Sequence, residues 1–457
     1  MKFFPRRFVT VIAICLALVM PVLPKGALAQ QILRDAETEW FLKEISSPFF
    51  RAAGMNPDSV TIYIIYDDSI NAFATLGQVM GIFSGLIQSA DTVNQLEGVI
   101  AHETGHIAGG HAVGTSEGQS KAIKILLFSA LLGLAAALAG SPEAAQGLIF
   151  GGQTAAQGVY LKYSRVQEAT ADQAALTYLD AAQVSGRGLV EFFDRLQNQE
   201  LLPINSRAEY YRTHPLPGNR ILRLIDRAKE SPFYDTPTSP EKEYWFRRIK
   251  AKLDGYINDP GHTLRKYPVS DQSIYARYAR VYAYNKALRL DNALAEANSL
   301  IAEIPNDPFF HEIAGQILFE YGKVEEALPY LRRARELLPQ ESLLLTQLGH
   351  ALVALETPET DKEAIEVLQM AVFFDPNDDF AWRQLATVYT RTNQETLANL
   401  AAAEMFNLHG RYPRALEMAN RALIKLPQGS REWLQAQDLI AAASADLARN
   451  PKAEKRR

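Results

Sequence analysis

Three pairs of residues in the C-terminal half recur at one interval: Ala293 and Ala327, Pro305 and Pro339, and Gly315 and Gly349 each stand 34 residues apart. A period of that length leaves few folds open, because one such repeat cannot bury its own apolar face and must stack on its neighbours as helix pairs in a solenoid. Gly322-Lys323-Val324-Glu325-Glu326-Ala327, followed by Ala334 and Pro339, is the most regular unit. Its small residues let paired helices approach, and its proline stops the second helix. Ala364 and Pro376 continue the series after an insertion at 357–361, and Trp382 and Tyr389 fit a third unit. Gly410-Arg411-Tyr412-Pro413-Arg414-Ala415 then arrives one helix late, and an extra helix around Thr396 to Asn407 accounts for the delay.

The interval is that of tetratricopeptide repeats, which assigns residues 273–449 to a repeat array and leaves 450–457 as a basic, disordered tail. Pro232, Pro237, Pro240, Pro260 and Pro268 crowd the stretch before it. Residues 229–272 therefore read as an inter-domain connection, with room for one helix from Tyr244 to Ile257.

The opposite end of the chain is an export leader. Lys2, Arg6 and Arg7 precede an apolar run from Phe8 to Leu23 that closes on Ala27-Leu28-Ala29, a small-residue cleavage site. The run is short for a bilayer span, so cleavage after Ala29 is favoured over a retained anchor. Ile14 before Cys15 excludes a lipoprotein signal. Cys15 is the chain's one cysteine and leaves with the leader, so disulfides and thiolate metal sites are excluded from the mature protein. Loss of Lys2, Arg6, Arg7 and Lys25 turns 47 basic against 52 acidic residues into 43 against 52, a net formal charge of −9. That balance excludes nucleic acid as a partner.

Between them, residues 30–228 read as an α+β domain. Val60 to Tyr66 is β-branched and aromatic, and Val79 to Phe83 is a second extended piece between Gly77 and Ser84-Gly85. The expectation is two short strands beside long helices. Thr92 with Gln95 three residues on has the capping-box pattern of a helix start, and Gly109-Gly110 marks its end. Ile125 to Ala139 is apolar on every face and Ala144 to Val159 nearly so, yet neither reaches the roughly 20 residues of a membrane span. They read as a buried or membrane-surface helical hairpin.

The helix that Thr92 opens carries His102-Glu103-Thr104-Gly105-His106. Imidazoles four residues apart lie on one helical face, one turn from each other, and both can reach a single metal ion. Glu103 is not a ligand in this arrangement but the general base toward the attacking water. The motif alone occurs by chance. Leu96, Val99 and Ile100 supply a core-facing stripe just before it, which places it on a packed helix.

Catalytic zinc takes three protein ligands and leaves a fourth position open. Tyr163-Ser164-Arg165-Val166-Gln167-Glu168-Ala169-Thr170-Ala171-Asp172 supplies the third, with Glu168 as ligand and Asp172, one turn on, orienting a ligand histidine. An Ala-rich helix with few charges is expected to be buried, and a buried carboxylate needs a partner. Arg165, three residues earlier, is the expected ion-pair partner. A third histidine in the HExxHxxGxxH pattern would fall on Ala112, so that class is excluded and His111 reads as structural. His214 lies in the proline-stiffened loop Arg212-Thr213-His214-Pro215-Leu216-Pro217-Gly218-Asn219-Arg220. Oxyanion stabilisation, occupation of the open metal position and a merely capping role all stay open for it. His262, His311, His350 and His409 read as structural.

Asn71-Ala72-Phe73-Ala74, the HExxH helix, the Tyr-Ser-Arg-x-x-Glu-x-x-x-Asp segment and the Thr-His-Pro loop occur in an order that resembles one peptidase family. This is the HExxH gluzincin family of the CAAX-prenyl endopeptidase, the heat-shock membrane protease and the periplasmic β-barrel assembly-enhancing (BepA-like) protease. The resemblance covers roughly residues 35–228, and the leader and repeats draw it toward the periplasmic branch. It implies one Zn2+ per chain on His102, His106 and Glu168, with Glu103 as base and His214 as a regulatory ligand. It also implies that Gly77, Gln78, Val79, Met80 and Gly81 open an edge strand that captures extended substrate by backbone pairing. The implied role is a zinc endopeptidase in the Gram-negative periplasm. It would act on unfolded or misassembled proteins, contact the outer-membrane β-barrel assembly machinery through its repeats, and touch the membrane peripherally. Two other readings compete: a periplasmic repeat chaperone or scaffold with a latent metal site, and an inner-membrane protease held by the apolar hairpin.

Overall fold

The computed structural model describes residues 31–75, 77–111, 165–198, 210, 214 and 218–449. The leader, the apolar hairpin, Tyr163-Ser164 and the basic tail lie outside the described residues. The chain opens with β1 (Gln31–Leu33), α1 (Ala36–Ala52), β2 (Thr61–Tyr66), β3 (Ala72–Thr75), β4 (Val79–Phe83) and α2 (Ser84–Ser89). Next come α3 (Val93–Ala108), α4 (165–181), α5 (Arg187–Asn198) and α6 (Gly218–Lys229).

The four strands form one sheet in the order β1-β2-β4-β3. β2 and β4 run parallel, Thr61 opposite Val79, whereas β3 returns antiparallel to β4 with Ala72 opposite Ile82. The sequence led us to expect two strands; β1 and β3 have three and four residues and are too short to show a period of their own. The sheet order also corrects the assignment of Gly77, Gln78, Val79, Met80 and Gly81 to an edge strand. Val79, Met80 and Gly81 lie on β4, which is paired on both sides, while Gly77 and Gln78 form the turn before it. Among the described residues, the open edge on that side belongs to β3.

Helices α1, α3 and α5 close over the sheet. Phe41, Ile45, Phe49 and Phe50 of α1 and Ile64, Ile82 and Phe83 of the sheet share a buried core with Leu96, Val99 and Ile100 of α3 and Leu189 and Phe192 of α5. Thr92 caps α3 by accepting from Gln95 N. Gln95 Oε1 answers to Asp91 N at 2.9 Å rather than to the cap residue's own nitrogen, so the box is offset by one residue. At the other end Gly109 stays right-handed, and Gly110 takes the left-handed turn at φ 60°.

α7 (Pro240–Ile257) and α8 (Pro260–Lys266) occupy the stretch read as a connection. They are not a tether. Phe246, Ile249 and Leu253 of α7 sit in the same core as the sheet. Arg248, wholly buried, pairs with Glu37 of α1 and with Asp307 ahead of the second repeat pair, and Lys252 reaches Asp35 and Glu37. Tyr278 donates its hydroxyl to Glu37 at 2.7 Å.

The array follows as five helix pairs: α9 (Ile274–Lys286) with α10 (Leu290–Glu303), α11 (Pro308–Glu320) with α12 (Val324–Leu337), α13 (Ser342–Ala354) with α14 (Pro358–Phe374), α15 (Asp379–Arg391) with α16 (Glu395–Leu408), and α17 (Tyr412–Lys425) with α18 (Arg431–Arg449). The helix expected around Thr396 to Asn407 is α16, the ordinary partner of α15 rather than an addition to the array. The repeated alanines Ala293 and Ala327 have no exposed surface. The fold is mainly α with a small sheet, followed by an α-helical repeat solenoid.

Candidate metal centre

α3 carries His102, Glu103 and His106, and α4 carries Glu168 and Asp172. Gly105 lets the two helices meet: a Cβ there would lie 2.8 Å from Ala171 O and 3.0 Å from Ala171 Cα. One turn apart on α3, His102 and His106 bring their Nε2 atoms to 3.1 Å, and the close approach of α4 puts Glu168 Oε1 3.3 Å from His106 Nε2. Glu168 Oε2 lies 3.4 Å from His102 Nε2. His214 enters from the loop ahead of α6, with Nδ1 3.2 Å from Glu168 Oε1. One donor atom from each of His102, His106, Glu168 and His214 falls within 4.8 Å of the other three.

The groups around this cluster give it its electrostatic character. Asp172 Oδ1 faces His102 Nδ1 at 3.0 Å, which turns Nε2 of the ring toward the cluster. Burial opposes charge on His102, but Asp172 and Glu168 outweigh it and lift the imidazole to about 9. Burial likewise opposes a charge on Glu168, yet His214, His102 and His106 hold its carboxyl well below the usual range. His214 is raised, since Glu103 and Glu168 overcome its burial. Burial and the neighbouring His106 push His111 down to about 4. Of the three buried carboxylates here, Glu103, Glu168 and Asp172, the last two contact the guanidinium of Arg220.

Glu103 is the clearest sign that the set suits a metal. It is wholly buried, and among the described residues neither carboxylate oxygen has a hydrogen-bond partner; His214 Nε2 stands 3.5 Å from Oε1. Buried carboxylates without partners are costly unless a bound group completes them. Nitrogen and carboxylate donors in this number match a divalent first-row ion.

Arg165 does not make the ion pair expected of it: it stands exposed at the start of α4, and the cation on Glu168 is Arg220, Nη1 to Oε2 2.9 Å. Arg220 also grips Asp172 through Nε and Nη2 at 2.5 and 2.7 Å. A positive charge in the first turn of α6 opposes the helix dipole, and that is the signal by which sequence reasoning could have singled it out. His111, read as merely structural, touches the cluster, its Nδ1 2.9 Å from His106 Nδ1. Tyr210 is fully buried with its ring 4.8 Å from that of His214, and its carbonyl accepts from His214 N at 2.7 Å. Beside His106, Ala74, Thr75, Gly77, Gln78, Ile107 and Gly110 line a small cavity of about 130 Å³. Gly77 and Gln78 thus stand next to the cluster although their strand is not an edge.

Residues 35–228 match peptidase family M48. The chain is similar to the β-barrel assembly-enhancing protease of Escherichia coli (strain K12), 26% identical over 376 residues that span 80% of this chain and 75% of that protein. The corresponding protease of Yersinia pestis is 26% identical over 377 residues, 81% of this chain and 76% of its own. Metalloprotease LoiP of Escherichia coli (strain K12) is 29% identical over 171 residues, 37% of this chain and 63% of LoiP. The family match holds the α3–α4 cluster and excludes the repeats: a metallopeptidase portion, matched to family M48 over residues 35–228, is followed by a tetratricopeptide-like array.

Proposed function

We propose that this protein is an exported zinc endopeptidase that cleaves unfolded or misassembled envelope proteins and assists the assembly of outer-membrane β-barrels. The observation that carries the reading is the unpartnered, buried Glu103 beside His102, His106 and Glu168. Zinc bound by these three side chains would supply Lewis-acid polarisation of a peptide carbonyl and acidify a water. Glu103 takes the proton from that water and returns it to the departing amine. Asp172 keeps Nδ1 of His102 protonated, so that Nε2 presents its lone pair.

Substrate enters extended along β3. The free edge of Ala72–Thr75 lies against α3, and His214 Nε2 is 3.4 Å from Ala72 O, so the strand edge and the catalytic groups are neighbours. A segment that pairs with an edge must already be unfolded, which makes selection conformational rather than sequence-specific. His214 supplies a fourth donor, and we assign it to a resting state that a substrate displaces. The repeats hold the assembly machinery or its clients, and the compartment is the periplasm with peripheral membrane contact. Among the described residues no helix is long and apolar enough to cross a membrane.

Casein cleavage by wild type and Glu103→Gln, each with its zinc content measured, tests the reading. Loss of cleavage with retained zinc is expected, and cleavage retained in the variant would sink it. Chelator-insensitive cleavage would contradict the metal dependence, and zinc without cleavage in either protein would favour a repeat chaperone with a latent metal site.

A further inference from the structure

Both oxygens of Glu168 face the donor cluster: Oε1 lies 3.3 Å from His106 Nε2 and 3.2 Å from His214 Nδ1, and Oε2 lies 3.4 Å from His102 Nε2 and 3.4 Å from His214 Nδ1. Oε2 also meets Arg220 Nη1 at 2.9 Å. The guanidinium cannot swing away from it. Its Nε and Nη2 form the two-pronged pair with Asp172, and its plane lies over the Phe193 ring, 5.1 Å from the centroid. Phe193 in turn meets the His102 ring edge-on at 5.7 Å.

Arg220, Asp172 and Glu168 each expose 4% of their surface or less. An ion pair at that depth is not screened by solvent, and the planar fork holds both carboxylates at once in a way that a lysine cannot. Asp172, held by the fork, is the group that faces His102 Nδ1. One side chain therefore governs two of the cluster's donors, one directly and one through an intermediary.

We propose that Arg220 is a positioning residue that holds Glu168 directly, and His102 through Asp172, in place to bind a metal. The inference rests on the reading of the cluster as a metal centre. Glu168 is then reached from two sides, by His214 at Oε1 and by Arg220 at Oε2. This role also explains why a cation occupies the first turn of α6, where the helix dipole disfavours one.

Two measurements test it. Zinc affinity of the full mature chain is read by competition with a chromophoric chelator for wild type, Arg220→Lys and Arg220→Gln, with circular dichroism to confirm folding. Loss of a partner of this kind weakens metal binding about 10- to 100-fold, and Arg220→Lys is expected to fall in that range with helix content unchanged. A purely structural arginine would lower the unfolding midpoint of the metal-free protein and leave the zinc dissociation constant of the folded fraction at its wild-type value, which overturns the proposal. Zinc X-ray absorption on the loaded variants gives a second reading. A shell in which a carboxylate or imidazole ligand is lost or lengthened from about 2.0 Å supports the proposal, and a shell identical to that of wild type in both variants overturns it. A wild-type chain that binds no zinc refutes the metal-centre reading itself, and with it the proposal.

Discussion

Gly105→Ala adds one methyl group inside the HExxH helix and tests whether the distance between α3 and α4 sets the donor geometry. The new Cβ would meet Ala171 O at 2.8 Å, Ala171 Cα at 3.0 Å and Ala174 Cβ at 3.2 Å. The two closest are backbone atoms, which cannot rotate aside, and 2.8 Å is about 0.6 Å short of ordinary contact. The helices must part by about that much, whereas a metal site tolerates errors of about 0.2 Å in its distances. Fold stability moves little, because alanine gains about 1 kcal/mol of helix propensity over glycine against about 1–3 kcal/mol for overpacking. The two readouts therefore separate. Urea unfolding of the metal-free variant should lie within about 2 kcal/mol of wild type, while zinc affinity by chelator competition falls at least tenfold and casein cleavage falls with it. A variant that keeps wild-type affinity and activity would refute the claim that this close approach positions Glu168.

Arg248→Met removes the cation that Glu37 and Asp307 share, which strands Asp307 and leaves Glu37 to Lys252 and Tyr278; the loss should be about 3–5 kcal/mol, read as a lower urea midpoint, and an unchanged midpoint would refute the buried network. Glu312 gives a pH dependence: burial lifts its carboxyl to about 8, with Lys252 opposing and Asp35 and Glu37 adding to the rise, against 4.5 for the ordinary group. The folded chain thus holds a proton that the unfolded chain releases, so this stability is complete below pH 4.5 and is lost as pH rises through 8. Unfolding midpoints should fall from about pH 6 to about pH 9 in wild type and fall less in Glu312→Gln, and parallel slopes would contradict it. Thr92→Ala deletes the cap of α3, where Thr92 accepts from Gln95 N, and should cost about 1 kcal/mol without changing zinc stoichiometry.

The donors of the candidate site were legible because their spacing is local. His102 and His106 are one helical turn apart, Glu168 and Asp172 likewise, and each pair declares a face without reference to the rest of the chain. The 34-residue interval is legible for a similar reason, since each repeat restates the same packing problem. What escaped depends on contacts across distance. The exchange of Arg165 for Arg220 as the partner of Glu168 follows from where α6 returns to the site, and no local pattern encodes that return. The strand order has the same origin: β3 is four residues long, and only its antiparallel pairing moves Val79–Phe83 from the edge to the interior. Proline density marked residues 229–272 as a connection, but Pro240 and Pro260 sit in the first turns of α7 and α8, where proline starts a helix rather than breaking one.

The Arg248 cluster also sets an order of events in the life of the chain. Glu37 lies near the amino end of the described chain, its cation on α7, and Asp307, which shares that cation, is far from it in sequence. A polypeptide emerging amino end first reaches Glu37 early and must wait for the segment through Asp307 before all three charges can be buried together. The family match stops at residue 228, but the unit that can settle does not. A chain cut there would carry a carboxylate with no counter-charge and a sheet core without Phe246 and Ile249. The catalytic portion matures only once the array behind it has arrived, which keeps a half-made peptidase from adopting its finished form.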